Sequence, residues 1–240
     1  MELFDPRSKI RREEKVLIAL LGRILQKIDS LANKIKAHGM LARFKSVGSE
    51  CHLEWPIKVH NPKWMTLGNG VTISWNGWLY AIEQYGDQSF TPELEIGDKS
   101  YIGNSCHIVV CNRIQIGKSV MIADRCYISD NLHEYEDVSR SIAENPMRVP
   151  GEVRIGDHSW IGENVCIYGN VTIGKHCVVG ANSVVMQDLP DYSVAVGMPA
   201  QIVKRYDFSE KRWRKTNKSG DFIDDLGLQK LPRAASHASA

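Results

Sequence analysis

Six positions in this 240-residue chain fall six apart without a miss: Ile155, Ile161, Ile167, Ile173, Val179 and Val185. All are β-branched, and four are followed at once by glycine (Gly156, Gly162, Gly174, Gly180). The fifth residue of each unit is mostly small: Ser159, Val165, Val171, Cys177, Ser183, with Leu189 as the exception. A six-residue period is neither a helix period nor a plain strand alternation. It marks a repeat whose short units cannot bury an apolar face alone and must stack.

The same period runs upstream. Ile96, Ile102 and Ile108 form one run; after a two-residue slip, Ile116, Ile122 and Ile128 form the next. Leu67, Ile73 and Leu79 keep the spacing, and Val47, Leu53 and Val59 do so faintly. The aliphatic positions are expected to point into a core, and the small ones to fit tight corners.

At 43% hydrophobic and 24% charged residues, the composition is that of a soluble globular protein. No apolar run is long enough to span a bilayer, and no signal peptide is expected. Net charge of +2 says little about partners. Cys51, Cys106, Cys126 and Cys177 take the small fifth position of repeat units, while Cys111 and Cys166 are scattered. No Cys-x-x-Cys pair occurs, so all six are expected to be free, packing cysteines in a reducing cytosol.

Residues 9–38 read as a helix. Ile10, Leu17, Ile24 and Leu31 are seven apart, as are Leu21, Ile28 and Ile35, offset by four. This is a heptad pattern, broken early by Glu14 and weakened by Gly22. Residues 7–45 carry 11 Lys or Arg against 3 Asp or Glu. Two readings follow: a helix packed on its own domain or on sister subunits, or a basic amphipathic helix lying on an anionic membrane surface.

Three segments result: residues 1–43, the amphipathic helical segment; 44–203, the repeat body; and 204–240, a basic C-terminal extension. One long interruption divides the body, residues 134–152, EYEDVSRSIAENPMRVPGE. A loop this long in a compact repeat domain is usually functional. A second, weaker break lies near Gln84 to Pro92.

The stretches IGDHSWIGENVCIYGNVTIGKHCVVGANSVV and DLPDYSVAVGMPAQIVKRY resemble the hexapeptide-repeat acyltransferases, above all the bacterial enzymes that O-acetylate sugars such as maltose, galactosides and polysaccharides. The resemblance implies a mainly β fold, a left-handed parallel β-helix with three strands per coil, so that residues 18 apart stack. It implies a homotrimer with active sites between neighbouring prisms, acetyl-CoA as acyl donor and no required metal. The expected enzyme is cytoplasmic and acts on a sugar or polysaccharide acceptor, with no nucleic-acid partner. The basic helix adds a peripheral contact with the inner membrane as a further expectation.

Acetyl transfer to a hydroxyl needs a base within hydrogen-bond reach, and histidine suits the task. His133, in SDNLHEYED, closes the last hexad before the long loop, where the family's catalytic histidine stands. Asp130, Glu134 and Asp137 are candidates to orient its ring, and His107 is the runner-up base. The resemblance assigns Asn104 and Trp160 to acceptor binding; Trp160 is expected at a corner of its hexad, with subunit packing as its plainer role. It assigns Glu163, Ala181, Gln187, Gln201, Lys204 and Arg205 to coenzyme A, the last two facing its 3′-phosphate. The Met186-Gln187 pair and Gln201 replace commoner Thr-Lys and Arg. His158 and His176 are 18 apart and should stack; no third histidine has matching spacing to make a metal site. Transfer to an amine, a metal-dependent hydratase and a non-catalytic scaffold are the alternatives.

Overall fold

A computed structural model of the chain describes residues 12–218 and 220–223. The predicted helical positions before residue 12, Ile10 among them, and the tail beyond 223 lie outside the described residues.

The repeats wind into a three-faced prism of parallel strands, so the expected β-helix fold class is borne out. The first face stacks Ser46–Val47, Met65–Leu67, Glu93–Ile96, Arg113–Ile116, Glu152–Ile155 and Val171–Ile173. The second stacks seven parallel strands from His52–Leu53 to Ser193–Val196. The third runs from Lys58–His60 to Val184–Val185. Ile155 pairs with Ile173, Ile161 with Val179 and Ile167 with Val185, the expected 18-residue stacking. Within each strand the inward side chain is aliphatic and its neighbours point out. Ile73, Leu79, Ile102, Ile108, Ile122, Ile128, Ile161 and Ile167 are fully buried along the axis.

Small fifth positions have a second reason besides space. Ser100 Oγ donates to Gly117 O at 2.7 Å, and Ser159 Oγ to Gly174 O at 2.9 Å. Cys106 and Cys126 aim their thiols the same way, at Ala123 O and Gly162 O, each at 3.1 Å. A short polar side chain thus ties each coil to the next. All six cysteines are free, as expected.

Two corners of the prism are uniform. Lys99, Ser119, His158, His176 and Tyr192 take positive φ between the first and second faces, and Asn76, Ser105, Arg125, Asn164 and Asn182 between the second and third. All variation in loop length falls at the remaining corner, from third face to first. The inward residues are 8 apart from Val59 to Leu67, 17 from Leu79 to Ile96, 8 from Ile108 to Ile116 and 27 from Ile128 to Ile155. Both breaks in the sequence pattern are therefore insertions at one edge of the prism.

The helix Arg12–Leu41 meets its own prism only at its end, where Ala37 is buried and Met40 and Leu41 join the core. Residues such as Asn33 and Ser30, on the polar side, line a cleft of about 950 Å³ against Glu50–Trp55 and Trp75. The heptad stripe lies on the opposite side, given about 100° per residue. Leu17, Leu21, Ile24, Ile28, Leu31 and Ile35 are 46–65% exposed, so the amphipathic helix turns its apolar face away from its own domain. No described helix is long and apolar enough to cross a membrane.

After Ser193–Val196 the chain reverses. Gln201–Asp207 and Arg212–Lys215 add antiparallel to the second face. At their turn the buried Arg214 donates to Asp207 at 2.6 Å.

Candidate active site

The irregular corner gathers chemistry because its two insertions fold onto one another. Gln84–Tyr85 and Gln88–Ser89 form a hairpin through the two-residue turn Gly86-Asp87, with Gly86 at φ 55°. Leu132–His133 pairs antiparallel with Met147–Arg148, so the long loop leaves and re-enters as its own two-stranded ribbon. Gln88 grips the returning strand: its side chain accepts from Met147 N at 2.5 Å and donates to Met147 O at 3.0 Å. Ile82, Cys111 and Met147 form a small second core beneath, edged by Tyr80, Tyr85, Phe90, Val109 and Val149. Burial there, with Asp130 adding to it, pushes the Cys111 thiol up to about 12, which leaves it a packing group and not a nucleophile.

His133 stands at the mouth of this corner, exposed. Its Nδ1 lies 3.2 Å from the Tyr85 hydroxyl, and the two rings meet edge to face at 5.4 Å. Tyr85 also donates to Ala143 O at 2.9 Å. The three expected carboxylates are engaged elsewhere. Asp130 accepts from Cys111 N and Asn112 N, both at 2.8 Å, and from Asn131 Nδ2 at 3.0 Å. Glu134 caps Tyr135 N and Glu136 N, and Asp137 holds Ser139 and Arg140. The backbone amides lower the Glu134 carboxyl below its ordinary range, and the Ser139 hydroxyl lowers Asp137. The ring partner is thus a tyrosine 48 residues away, which sequence spacing did not indicate. The available signal was the Gly-Asp hairpin at the weaker break, with an aromatic residue at its turn.

The other expected site residues lie at other edges. Asn104 sits at the second-to-third corner, where its backbone N and Nδ2 donate to Asp124 at 2.9 and 3.1 Å. Glu163 and Ala181 stack on that corner too; Glu163 pairs with Arg125, whose Nε donates to Asn164 at 2.9 Å. Trp160 is not at a corner as expected. It is the outward residue of Trp160–Ile161 on the second face, because its neighbour Ile161 takes the inward position. There it is in register with Tyr101 and Met121, an exposed ladder 38–48% open. Gln187 donates to Ala200 O at 3.2 Å, and Gln201 pairs with Val196. Lys204 and Arg205, as strand neighbours, point to opposite sides of Gln201–Asp207, so a single phosphate cannot meet both side by side. One protomer therefore brings His133 together with Tyr85 and the long loop, and sets the remaining candidates on a different corner or face.

His107 lies on the third face, its ring edge-on to Trp78 at 5.4 Å, apart from the two insertions. His158 and His176 stack at 4.7 Å as expected, and Tyr192 continues the stack at 5.1 Å. Among the described residues, no three metal-ligating side chains converge.

Residues 152–187 match the family model for the bacterial transferase hexapeptide (six repeats). A probable acetyltransferase of Mycobacterium tuberculosis is 35% identical over 167 residues, 64% of this chain and 55% of that protein. A putative lipopolysaccharide biosynthesis O-acetyl transferase of Escherichia coli is 32% identical over 49% of this chain and 63% of its own length. The chain thus spans somewhat over half the length of these relatives. Among solved structures, a hexapeptide-repeat acetyltransferase of Vibrio cholerae complexed with acetyl coenzyme A superposes with a TM-score of 0.50 at 26% identity, covering 86% of this chain and 94% of that one. In repeat, fold and relatives alike, the chain resembles the hexapeptide-repeat acetyltransferases.

Proposed function

We propose that this protein is an acetyl-CoA-dependent O-acetyltransferase that acts on a hydroxyl of a sugar in a bacterial surface polysaccharide or its precursor. The observation that carries this reading is the exposed His133, held by both insertions at the one irregular corner of a hexapeptide prism. His133 takes the proton of the acceptor hydroxyl as its oxygen attacks the thioester carbonyl. When the carbon–sulfur bond breaks, the imidazolium returns the proton to the departing coenzyme A sulfur. No metal enters these steps. A sugar acceptor is supported by the lipopolysaccharide-related name of one relative.

The working unit on this reading is a homotrimer. His133 and the candidate donor contacts (Glu163, Ala181, Gln201, Lys204) stand on separate edges of one prism, so a complete site needs the edge of a second. The exposed Tyr101–Met121–Trp160 ladder and the outward heptad stripe are apolar surfaces of the kind that protein partners cover. Glu163 and Ala181 then line the pantetheine groove from the neighbour's side of the cleft, with Asn104 on the same corner to hold the acceptor. Such a donor keeps the enzyme in the cytoplasm. The basic helix could also rest on an anionic membrane while its apolar stripe is shared among subunits.

The test is transfer from acetyl-CoA to purified surface polysaccharide. His133→Ala should cut turnover by about 10²–10⁴-fold, with donor binding by calorimetry intact. Retention of more than a small fraction of wild-type rate would remove His133 from the role. A product stable to mild base would point to an amide and an amine acceptor instead.

A further inference from the structure

We propose that Tyr85 is a positioning residue whose hydroxyl fixes His133 in the Nδ1–H tautomer and so presents Nε2 as the proton acceptor. This rests on the reading of His133 as the base. The argument is one of proton counting. A tyrosine hydroxyl has a single proton to donate. Its oxygen lies 2.9 Å from the carbonyl oxygen of Ala143, which can only accept, so the hydroxyl proton belongs on that line. Towards His133 Nδ1, at 3.2 Å, the same oxygen can then only accept, and the ring must donate. A neutral imidazole carries one N–H. With that hydrogen on Nδ1, the lone pair is on Nε2.

The arrangement needs no rearrangement during the reaction. When Nε2 takes a proton, Nδ1–H still points at the Tyr85 oxygen, and that hydrogen bond strengthens as the ring becomes cationic. When Nε2 gives the proton up, the ring returns to its starting tautomer. Tyr85 itself loses nothing and touches no reacting atom.

The two insertions therefore have a joint purpose. The hairpin supplies the hydroxyl, the strand Leu132–His133 leading into the long loop supplies the ring, and the loop supplies the carbonyl that orients the hydroxyl. Ala143 lies within the 3₁₀ turn Ile142–Glu144, which Glu144 secures by accepting from Ser141 N at 3.0 Å and Ser141 Oγ at 2.9 Å. A disordered loop would free the Tyr85 proton to turn toward Nδ1, which would leave the lone pair facing the wrong way.

The experiment is nitrogen-15 NMR of histidine-labelled full-length protein, with the His133 signals identified by their loss in His133→Gln. At a pH where the ring is neutral, wild type should show a protonated Nδ1 and a bare Nε2. Tyr85→Phe, which keeps the ring packing, should shift His133 towards the Nε2–H form. In the transfer assay the same variant should lose about 10–100-fold in kcat, less than the about 10²–10⁴-fold the base itself supplies, with the KM for acetyl-CoA unchanged. A wild-type Nε2–H tautomer, or a tautomer unmoved in Tyr85→Phe, overturns the proposal. The spectroscopic result stands whether or not the protein transfers acetyl groups. Conversely, an inactive His133→Ala beside a fully active Tyr85→Phe would leave the base assignment intact and remove Tyr85 alone.

Discussion

Asp130 is fully buried, and its carboxylate accepts from two backbone amides of the preceding coil and from Asn131. It stands three residues before His133, so it fixes the corner from which that ring projects. Asp130→Ala strands the buried Cys111 N–H, at about 1–3 kcal/mol, and loosens the part-buried Asn112 N–H. Urea unfolding should show a loss of that order, with Asp130→Asn in between because it keeps one acceptor oxygen. Asp207 is a second case. Hydrogen bonds from Ser209, then from Arg214 and the Glu210 amide, hold its carboxyl well below the usual aspartate range. A folded-state pKa below the unfolded one adds stability that is present above the unfolded value, about 3.9, and is lost as pH falls through the folded one. Amide exchange in the hairpin should therefore be faster in Asp207→Asn than in wild type at neutral pH. The difference should shrink below about pH 4. Asp130 does not announce its role in the sequence, since its backbone donors are 18 and 19 residues away and only the corner geometry assembles them.

The two insertions work as one element. The longer was legible as an insertion because its length breaks a strict period; the hairpin read only as a weaker break. Their union rests on Gln88, 59 residues from the Met147 backbone it grips at both ends. Two such hydrogen bonds are worth about 1–3 kcal/mol together. Gln88→Ala should raise the rate of proteolytic cleavage within residues 134–151 by about tenfold or more. It should lower kcat more than it alters the KM for acetyl-CoA. An unchanged cleavage rate would mean that the small core of Ile82, Cys111 and Met147 holds the loop without it. The N-terminal helix was legible too, with its heptad. Its orientation was not, because which side of a helix meets its own domain is set by Ala37, Met40 and Leu41 at the last turn.

Across the whole molecule each coil contacts only its neighbours, so damage to one inward residue is shared by the coils above and below. Ile122 is fully buried between Ile102 and Ile161. Ile122→Ala should cost about 2–5 kcal/mol, read as a lower midpoint in denaturant. Gly117 shows how tight the stacking is: a Cβ there would meet Asp157 Oδ1 at 2.4 Å and Asp157 N at 2.8 Å. Light scattering should give three times the 27.0 kDa chain mass. The double change Met121→Glu and Trp160→Glu, on the outward ladder, should reduce that mass and abolish transfer together. A monomeric wild type that remains active would end the trimeric reading.

The six-residue period by itself determined that short units stack around an aliphatic core, because no single unit can bury its apolar face alone. The small fifth positions pointed to free cysteines and the interruption of the period marked the long loop, while the stacking of residues 18 apart came from the resemblance. Only the tertiary structure decided that all irregular lengths share one corner, that Trp160 faces outward from a strand, and that Lys204 and Arg205 diverge. It also decided that Tyr85 meets His133. Such pairings join segments far apart in the chain, and local periodicity carries no record of which distant side chains the winding of a solenoid will set against each other.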